Sequence, residues 1–394
     1  MARTSTTRRG SAAVAATADE GLGAVAEAIA HDPDGFVADF YTRLFATRPD
    51  LRELFPATME HQRAALFGVL DHILATVPDL DAHPDLIALL TQLGLDHRKF
   101  GVAPQHYEVF LDTLLTEIAR LMGERWKGST ADDTTQAMML ATGVMRGAAM
   151  TATGPATWHA RVVEKYRMSR DLAVVRLISQ APGVYVAGQY LEVQVPQWPR
   201  VWRSLSPSIP PNPQGELEFH VRAVPGGSVS TSIVSETAAG DVWTFAQSHG
   251  TLAIDPTLPT LFVAGGTGLA PVRALLTDMA YRVDTAPTHV FYGTRYPGEL
   301  YDRFSLARLA GTNPWLTVTT VSEEEHNPWW LEVGFSPIPG VDHHIGRVAD
   351  VAVAQRDWSD HQAIIAGSPE MIDYTRRALI IAGVPASRIQ HDPV

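Results

Sequence analysis

The apolar residues change their spacing twice along the chain, and such a change rules out a single repeating architecture. From about Gly21 to Thr153 they recur at helical intervals, as in Phe36, Phe40, Leu44 and Phe45 and again in Leu66, Val69, Leu70, Ile73 and Leu74. Pro33, Pro49, Pro56, Pro78, Pro84 and Pro104 fall mostly between these runs, where proline starts or stops helices. Near Gly154-Pro155 the texture becomes one of short β-rich runs, Leu172 to Ile178, Gln189 to Val195 and Leu217 to Val224. Pro- and Gly-rich breaks at Pro207 to Pro213 and Pro225-Gly226-Gly227 separate them, which predicts a small antiparallel barrel or sandwich. From about Thr260 strands alternate with helices. Leu261 to Ala264, a Gly-rich turn, a helix from Pro271 and strands at His289 to Tyr292, Leu316 to Val321 and Ala363 to Ala366 predict a parallel βαβ sheet. With 394 residues, too many for one ordinary core, the chain is read as multidomain. The expected parts are a disordered tail (1–22), an all-α domain (23–153), an antiparallel β-barrel domain (154–256) and an α/β parallel-sheet domain (257–394).

A net charge of -12 argues against a nucleic-acid or anionic-membrane partner, which would repel the chain overall. Cysteine is absent, which removes disulfides, thiolate catalysis, iron–sulfur clusters and cysteine-bound zinc together. Redox chemistry would then need an organic cofactor or a metal held by His, Asp or Glu. Arg8-Arg9 suggests an export signal, but the Ala-rich run after it is short and Asp19-Glu20 interrupts it. No stretch of about 18 uninterrupted apolar residues occurs, so no transmembrane segment and a cytoplasmic location are expected. The oligomeric state is not legible.

The turn Gly265-Gly266-Thr267-Gly268-Leu269-Ala270-Pro271 follows an apolar strand and opens a helix. Its glycines let backbone approach a pyrophosphate, and the helix N-terminus favours negative charge. The spacing is not G-x-G-x-x-G, and taken alone the turn also reads as a tight βα connection without ligand. Order along the chain adds to it. Upstream stand Arg203-Ser204-Leu205-Ser206 and Gly226-Gly227-Ser228-Val229-Ser230; downstream stand Tyr292-Gly293-Thr294-Arg295 and Ala366-Gly367-Ser368-Pro369-Glu370-Met371. This succession resembles the ferredoxin–NADP reductase superfamily over about 155–394.

The resemblance implies FAD on the barrel domain and NADH or NADPH on the α/β domain. Arg203, on the flavin strand with Ser204, Leu205 and Ser206, would neutralise a flavin phosphate, and Ser206 would lie near the flavin N5. Gly226, Gly227, Val229 and Ser230 would offer backbone amides and a capping hydroxyl to the pyrophosphate. Gly265, Gly266, Thr267 and Gly268, with Gly367, Ser368 and Pro369, would seat the nicotinamide cofactor. Arg203 as a surface charge and Ser230 as a plain N-cap are the bland alternatives. No acidic residue ends the second strand, where an NAD ribose partner normally sits. Arg295 stands there instead and suits a 2′-phosphate, whereas the fused relatives favour NADH; the choice stays open. Two departures weaken flavin binding or alter hydride transfer. Leu205 replaces the usual Tyr, and His391-Asp392-Pro393-Val394 lacks the aromatic that many relatives stack on the flavin.

In the helical part, Phe40-Tyr41-Thr42-Arg43-Leu44-Phe45, Pro49-Asp50-Leu51-Arg52-Glu53-Leu54-Phe55 and Gly94-Leu95-Asp96-His97-Arg98-Lys99-Phe100-Gly101-Val102 precede Pro104-Gln105-His106-Tyr107. Together with the reductase order, this is similar to the flavohaemoglobin family over nearly the whole chain. It implies an all-α globin domain holding haem b. His97 would be the proximal iron ligand, Phe55 the porphyrin-packing aromatic, and Tyr41, Gln62 and Leu66 the distal pocket. Tyr107 would stand beside the proximal imidazole, and His61 is the reserve distal candidate. Core packing for Phe55 and Tyr41, and a solvated helix position for Gln62, are the bland readings; His72, His83 and His106 read as surface residues. The family's carboxylate late in the last globin helix is missing, since no Asp or Glu occurs from Thr134 to Ala160. That makes the imidazole a weaker donor to iron and bound peroxide harder to activate; a Glu restored near Gly154 or Pro155 is the expected repair.

The resemblance implies a relay from NAD(P)H through FAD to haem iron, where O2 oxidises nitric oxide to nitrate. Two rivals remain: a haem and flavin enzyme with a different organic donor, and a haem-based gas or redox sensor.

Overall fold

The computed structural model describes residues 21–394 apart from 57, 182, 251, 332, 393 and 394. Most of the expected tail therefore lies outside the described residues. The chain divides into two compact units, one ending at Ala156 and one beginning at Thr157.

The first unit is helical: α1 (Leu22–His31), α2 (Pro33–Thr47), α3 (Glu60–Thr76), α4 (Pro84–His97), α5 (Pro104–Met122) and α6 (Gly128–Thr151). Pro33, Pro84 and Pro104 occupy the first turns of α2, α4 and α5, where a missing N–H costs no helical bond. Pro49 opens a 3-10 turn over Pro49–Leu54. Asp32 caps α2 by accepting from the Gly35 N–H at 3.0 Å. Phe36, Val37, Phe40, Tyr41 and Leu44 form the buried stripe of α2 and join Leu70, Ile73, Leu86, Leu90, Leu114 and Ile118 in one core. Each large apolar side chain so buried contributes about 1.5–3 kcal/mol. Helices α4 and α6 touch through Gly94, where a Cβ would stand 2.2 Å from the Met145 carbonyl oxygen.

The second unit opens with β1 (Trp158–Arg167), β2 (Leu172–Ser179), β3 (Tyr190–Gln194), β4 (Arg203–Leu205), β5 (Glu216–Arg222), α7 (Ser228–Ser235) and β6 (Val242–His249). The strands form an antiparallel sheet in the order β4-β3-β6-β1-β2-β5. A bridge between Pro207, just beyond β4, and Phe219 of β5 joins the two ends and closes a barrel. Leu217, Phe219 and Val221 point inward with Val175, Leu191, Val193, Trp243 and Phe245. The alternate residues Glu218 and His220 are buried as well, because the rest of the unit covers that face.

The chain continues with β7 (Thr260–Gly265), α8 (Leu269–Met279), β8 (Thr288–Thr294), α9 (Arg303–Thr312), β9 (Leu316–Ser322) and β10 (Asp342–Ile345). Then come α10 (Val348–Gln355), β11 (Gln362–Ala366), α11 (Pro369–Ile381) and β12 (Ile389–Gln390). The sheet is parallel, ordered β10-β9-β8-β7-β11-β12, so the winding reverses between β7 and β11. Crevices at such a reversal bind ligands beyond the strand C-termini. Helix α8 starts at Leu269, two residues before the expected Pro271, because proline fits a first helical turn. Among the described residues no helix is long and apolar enough to cross a membrane.

Candidate functional site

His97 is the last residue of α4, where Leu86, Leu90 and Gly94 bury one helix face and hold the end of the helix in place. Its ring is largely buried, and burial is the chief cause that lowers its pKa. Nδ1 lies 2.5 Å from the Leu93 carbonyl oxygen. In the neutral tautomer that geometry assigns, Nδ1–H donates to Leu93 and Nε2 keeps its lone pair, as an axial ligand requires. Tyr107, from α5, stands with its ring centroid 6.4 Å from that of His97. Its hydroxyl is buried with no hydrogen-bond partner among the described residues, and burial pushes its pKa up to about 12.

On α2, Tyr41 contacts Phe55 edge-on at 5.5 Å and stacks on Phe45 at 5.8 Å. Burial raises the Tyr41 hydroxyl to about 12, with Arg63 opposing, so it remains a donor at neutral pH. Phe55 follows the Pro49–Leu54 turn, and Arg52 clamps its carbonyl at 3.2 Å and that of Pro56 at 2.9 Å. Leu66 and Phe55 pack on the same core as Tyr41. Gln62, on α3, has its Oε1 buried without a partner among the described residues. The His61 side chain lies outside the described residues. His106 is half-buried and accepts from the Ala103 N–H at 3.1 Å, capping α5 rather than lying free on the surface. The haem fit thus rests on one available imidazole nitrogen and two orphaned buried polar atoms, Gln62 Oε1 and Tyr107 OH. Each orphan carries a cost of about 1–3 kcal/mol that a bound group would relieve.

One expectation needs correcting. Gly154 and Pro155 lie beyond α6, which ends at Thr151, so a carboxylate there would not sit on the helix that packs against α4 at Met145. Arg98 Nη2 donates to the Gly154 carbonyl at 2.7 Å.

In the second unit Arg203 and Ser204 are exposed on β4, with Leu205 and Ser206 half-buried. Leu205 pairs with Leu191, and Arg203 Nη1 donates to the Trp202 carbonyl at 2.8 Å. The Gly226-Gly227 turn leads into α7. Gly226 has a φ of 77° that favours glycine, and Val229 is buried beneath the helix. The Ser230 hydroxyl accepts from the Val224 N–H at 3.1 Å, so it braces the turn. No side chain caps α7, whose first amides stay open to an anion.

The glycines at the sheet reversal have two separate causes. A Cβ on Gly265 or Gly367 would stand 2.2 or 2.4 Å from Met371 Sδ, and one on Gly268 would stand 2.4 Å from the Ala366 carbonyl oxygen. Gly266, with φ 53°, faces open space. Thr267 lies between them in a 3-10 turn. Ser368 caps α11 by accepting from the Met371 N–H at 3.3 Å, and Pro369 is its first residue. Arg295 is exposed over the Tyr296 ring at 5.2 Å.

Two groups escaped sequence reasoning. Glu218, His220, Arg273 and Tyr301 form a buried polar cluster, and in Glu-Leu-Glu-Phe-His-Val-Arg (216–222) the polar alternation reads as a solvent face. Asp392 has its Oδ1 buried without a partner among the described residues, 2.8 Å from where a Gly250 Cβ would be. Burial raises its pKa to about 6, with His391 opposing. Because the folded value lies above the unfolded one of about 4, the native state holds the extra proton. The destabilising charge therefore develops as pH rises through about 4 to 6 and is complete above that. Asp392→Asn is expected to stabilise the second unit at pH 7.5 by about 1 kcal/mol, discounted for partial exposure. The gain should vanish below about pH 4 in thermal unfolding; an equal gain at both pH values would contradict it.

Residues 38–145 match the globin family, 159–254 the oxidoreductase FAD-binding domain and 262–377 the oxidoreductase NAD-binding domain. Among curated proteins, the xylene/toluene monooxygenase electron transfer component XylA of Pseudomonas putida is 27% identical over 233 residues, 58% of this chain and 63% of that protein. The ferredoxin–NAD(P)(+) reductase component of the naphthalene 1,2-dioxygenase system of Pseudomonas putida is 35% identical over 211 residues, 52% of this chain and 59% of that protein. The chain spans about three fifths of the length of these relatives. The crystal structure of a flavohaemoglobin from Malassezia yamatoensis with bound FAD and haem covers 94% of this chain and 96% of its own, with a TM-score of 0.70 and 17% identity. At that identity the likeness is one of fold.

Proposed function

We propose that this chain, a flavohaemoglobin-like fusion of a globin with FAD- and NAD-binding oxidoreductase domains, passes electrons from NAD(P)H through FAD to haem and oxidises nitric oxide to nitrate. When bound, nicotinamide supplies hydride, FAD divides it into single electrons, and haem is the one-electron centre where O2 and nitric oxide combine. His97 would hold the iron through Nε2, with its Nδ1 proton kept on Leu93. Tyr41, protonated because it is buried, and Gln62 would orient the diatomic ligand, while Leu66 and Phe55 exclude water. Tyr107 keeps an unused hydroxyl near the imidazole, and Ser206 and the α7 amides would orient the flavin. The observation that supports the reading is the His97 Nε2 left free by the Leu93 bond, on the same chain as matches to FAD-binding and NAD-binding oxidoreductase domains. Nitric oxide consumption by purified protein with O2 and NADH tests it; haem reduction without such consumption removes the dioxygenase step and leaves the relay.

Cofactor choice follows from the ends of β8 and β9. The Glu323 N–H donates to the Thr294 carbonyl at 3.1 Å and the Glu324 N–H to that of Arg295 at 2.9 Å, so the backbone of two acidic residues with exposed side chains is held beside that of Arg295. A 2′-phosphate there meets more negative than positive charge, and NADH should be preferred. Glu323→Arg is expected to raise the NADPH-to-NADH ratio of flavin reduction about tenfold, equivalent to about 1.4 kcal/mol. Binding of 2′,5′-ADP should tighten in parallel, and an unchanged ratio would remove Glu323 from the selection.

The sensor reading keeps one observation in its favour, the Arg98 contact to Gly154, which ties the residue after His97 to the segment leaving the helical unit. Slow turnover with a ligand-dependent change in shape would favour it.

A further inference from the structure

We propose that the buried polar cluster of Glu218, His220, Arg273 and Tyr301 is a positioning seam that sets how closely nicotinamide approaches the flavin. The inference rests on the reading that NAD(P)H reduces FAD in the second unit.

Glu218 and His220 stand on the outward face of β5. Across from them are Arg273 of α8 and Tyr301, just after β8. The Glu218 carboxylate accepts from Arg176 Nε at 2.7 Å, Ser208 Oγ at 2.9 Å and Arg273 Nη1 at 2.5 Å. Burial opposes its ionisation, but the His220 contact, the Arg273 charge and the Arg176 hydrogen bond outweigh it and hold its carboxyl well below the usual range. His220 Nε2 lies 3.1 Å from Glu218 Oε1 and 3.0 Å from Arg273 Nη1, and its Nδ1 lies 2.9 Å from the Tyr301 hydroxyl. Arg273 Nε also faces Asp302 at 3.4 Å.

Adhesion does not need these charges, because Ala187, Leu252 and Ile254 already pack into the apolar core around Leu275 and Leu276. Apolar contact tolerates sliding, whereas a guanidinium shared among Glu218, His220 and Asp302 must satisfy several partners at once and so admits few geometries. A buried ion pair is also weak evidence for stability, which leaves specificity of arrangement as its better use.

The seam is short at both ends. Ser208, whose N–H and hydroxyl both bond to Glu218, is two residues from Ser206, the candidate beside the flavin N5. Arg273 lies in the helix opened by the Gly265–Gly268 turn, the candidate nicotinamide seat. One carboxylate therefore joins the backbone carrying the hydride acceptor to the helix carrying the donor. Hydride transfer needs donor and acceptor within about 3–3.5 Å, and a shift of about 1 Å can cost about a hundredfold in rate.

The test uses anaerobic reduction of the FAD-loaded full chain by NADH in Tyr301→Phe, Glu218→Gln and the double variant Glu218→Leu with Arg273→Met. The double variant removes the charges together, so it is the one best placed to keep stability. Flavin reduction at saturating NADH should slow by about tenfold or more, with FAD content retained and NADH affinity little changed. The long-wavelength nicotinamide–flavin charge-transfer band should weaken, and the isotope effect with 4-deuterated NADH should grow. Unchanged rates in folded, FAD-loaded Tyr301→Phe and the double variant would overturn the seam, as would a loss confined to NADH affinity or FAD content. A parent protein that NADH and NADPH both fail to reduce overturns the reductase reading and the seam with it; a reduced parent with unimpaired variants overturns the seam alone.

Discussion

His97→Ala protein is expected to purify with less than about a tenth of the parent's haem, to lose nitric oxide consumption, and to keep an intact reductase. The size of the loss follows from coordination, since the Leu93 bond keeps this imidazole in the tautomer an iron ligand needs. Its Nδ1 is engaged by Leu93 at 2.5 Å, which fixes the ring plane and leaves Nε2 for the metal. Alanine removes the ligand and leaves a ring-sized hole between Tyr107 and Phe100, each now 6.4 Å from the imidazole centroid. Free imidazole added at millimolar concentration should restore part of the Soret absorbance by filling that hole. NADH-dependent reduction of ferricyanide should stay within about twofold of the parent, because the second unit folds around its own cores. A Soret band of full intensity in the variant would take the iron away from His97.

The second large effect belongs to Gly268→Val, expected to slow flavin reduction by NADH about a hundredfold or more. A Cβ at this position would stand 2.4 Å from the Ala366 carbonyl oxygen and 2.7 Å from the Gly367 nitrogen. Both are backbone atoms at the end of β11, with no flexible side chain to give way. Valine must therefore push α8 off the sheet at its reversal, at an overpacking cost of about 1–3 kcal/mol and with the loss of the nicotinamide seat. Gly266→Ala is the control. Its φ of 53° penalises a side chain, yet nothing stands within 4 Å, so about 1 kcal/mol of backbone strain is expected. Rapid reduction in Gly268→Val would show that α8 can shift without harm to the cofactor site.

The same two glycines show how far the sequence could be read. The sequence shows the turn as a βα junction whose glycines serve either ligand approach or a tight connection. The coordinates divide that role: Gly265, Gly268 and Gly367 are packed against Met371 and Ala366, and Gly266 alone has the free space a ligand needs. Helices were legible because apolar period and proline position agree, as in α2, α4 and α5. Strands β2, β5 and β7 were legible as runs of apolar or branched residues. Strands β1 and β6 were not singled out, since Arg161, Glu164 and Lys165 in one and Gln247, Ser248 and His249 in the other interrupt any apolar run. Tyr41, Phe55 and His97 become candidates only through the resemblance of the whole succession, because each type alone also reads as a core or structural residue. The Glu218 cluster is invisible because Arg273 stands 55 residues from Glu218 and Tyr301 81 residues from His220, and only the tertiary fold brings them together.

The sheet borders carry a consequence for handling the protein at high concentration. Closure of the barrel through Pro207 and Phe219 leaves it without a long open edge. The parallel sheet ends in the four residues of β10, Asp342-His343-His344-Ile345, and the two of β12. Edges so short, one of them rich in polar side chains, give a neighbouring molecule little backbone to pair with. A chain with so many strands thereby leaves little edge for a second molecule to pair with, a protection that comes from where its strands stop rather than from its net charge.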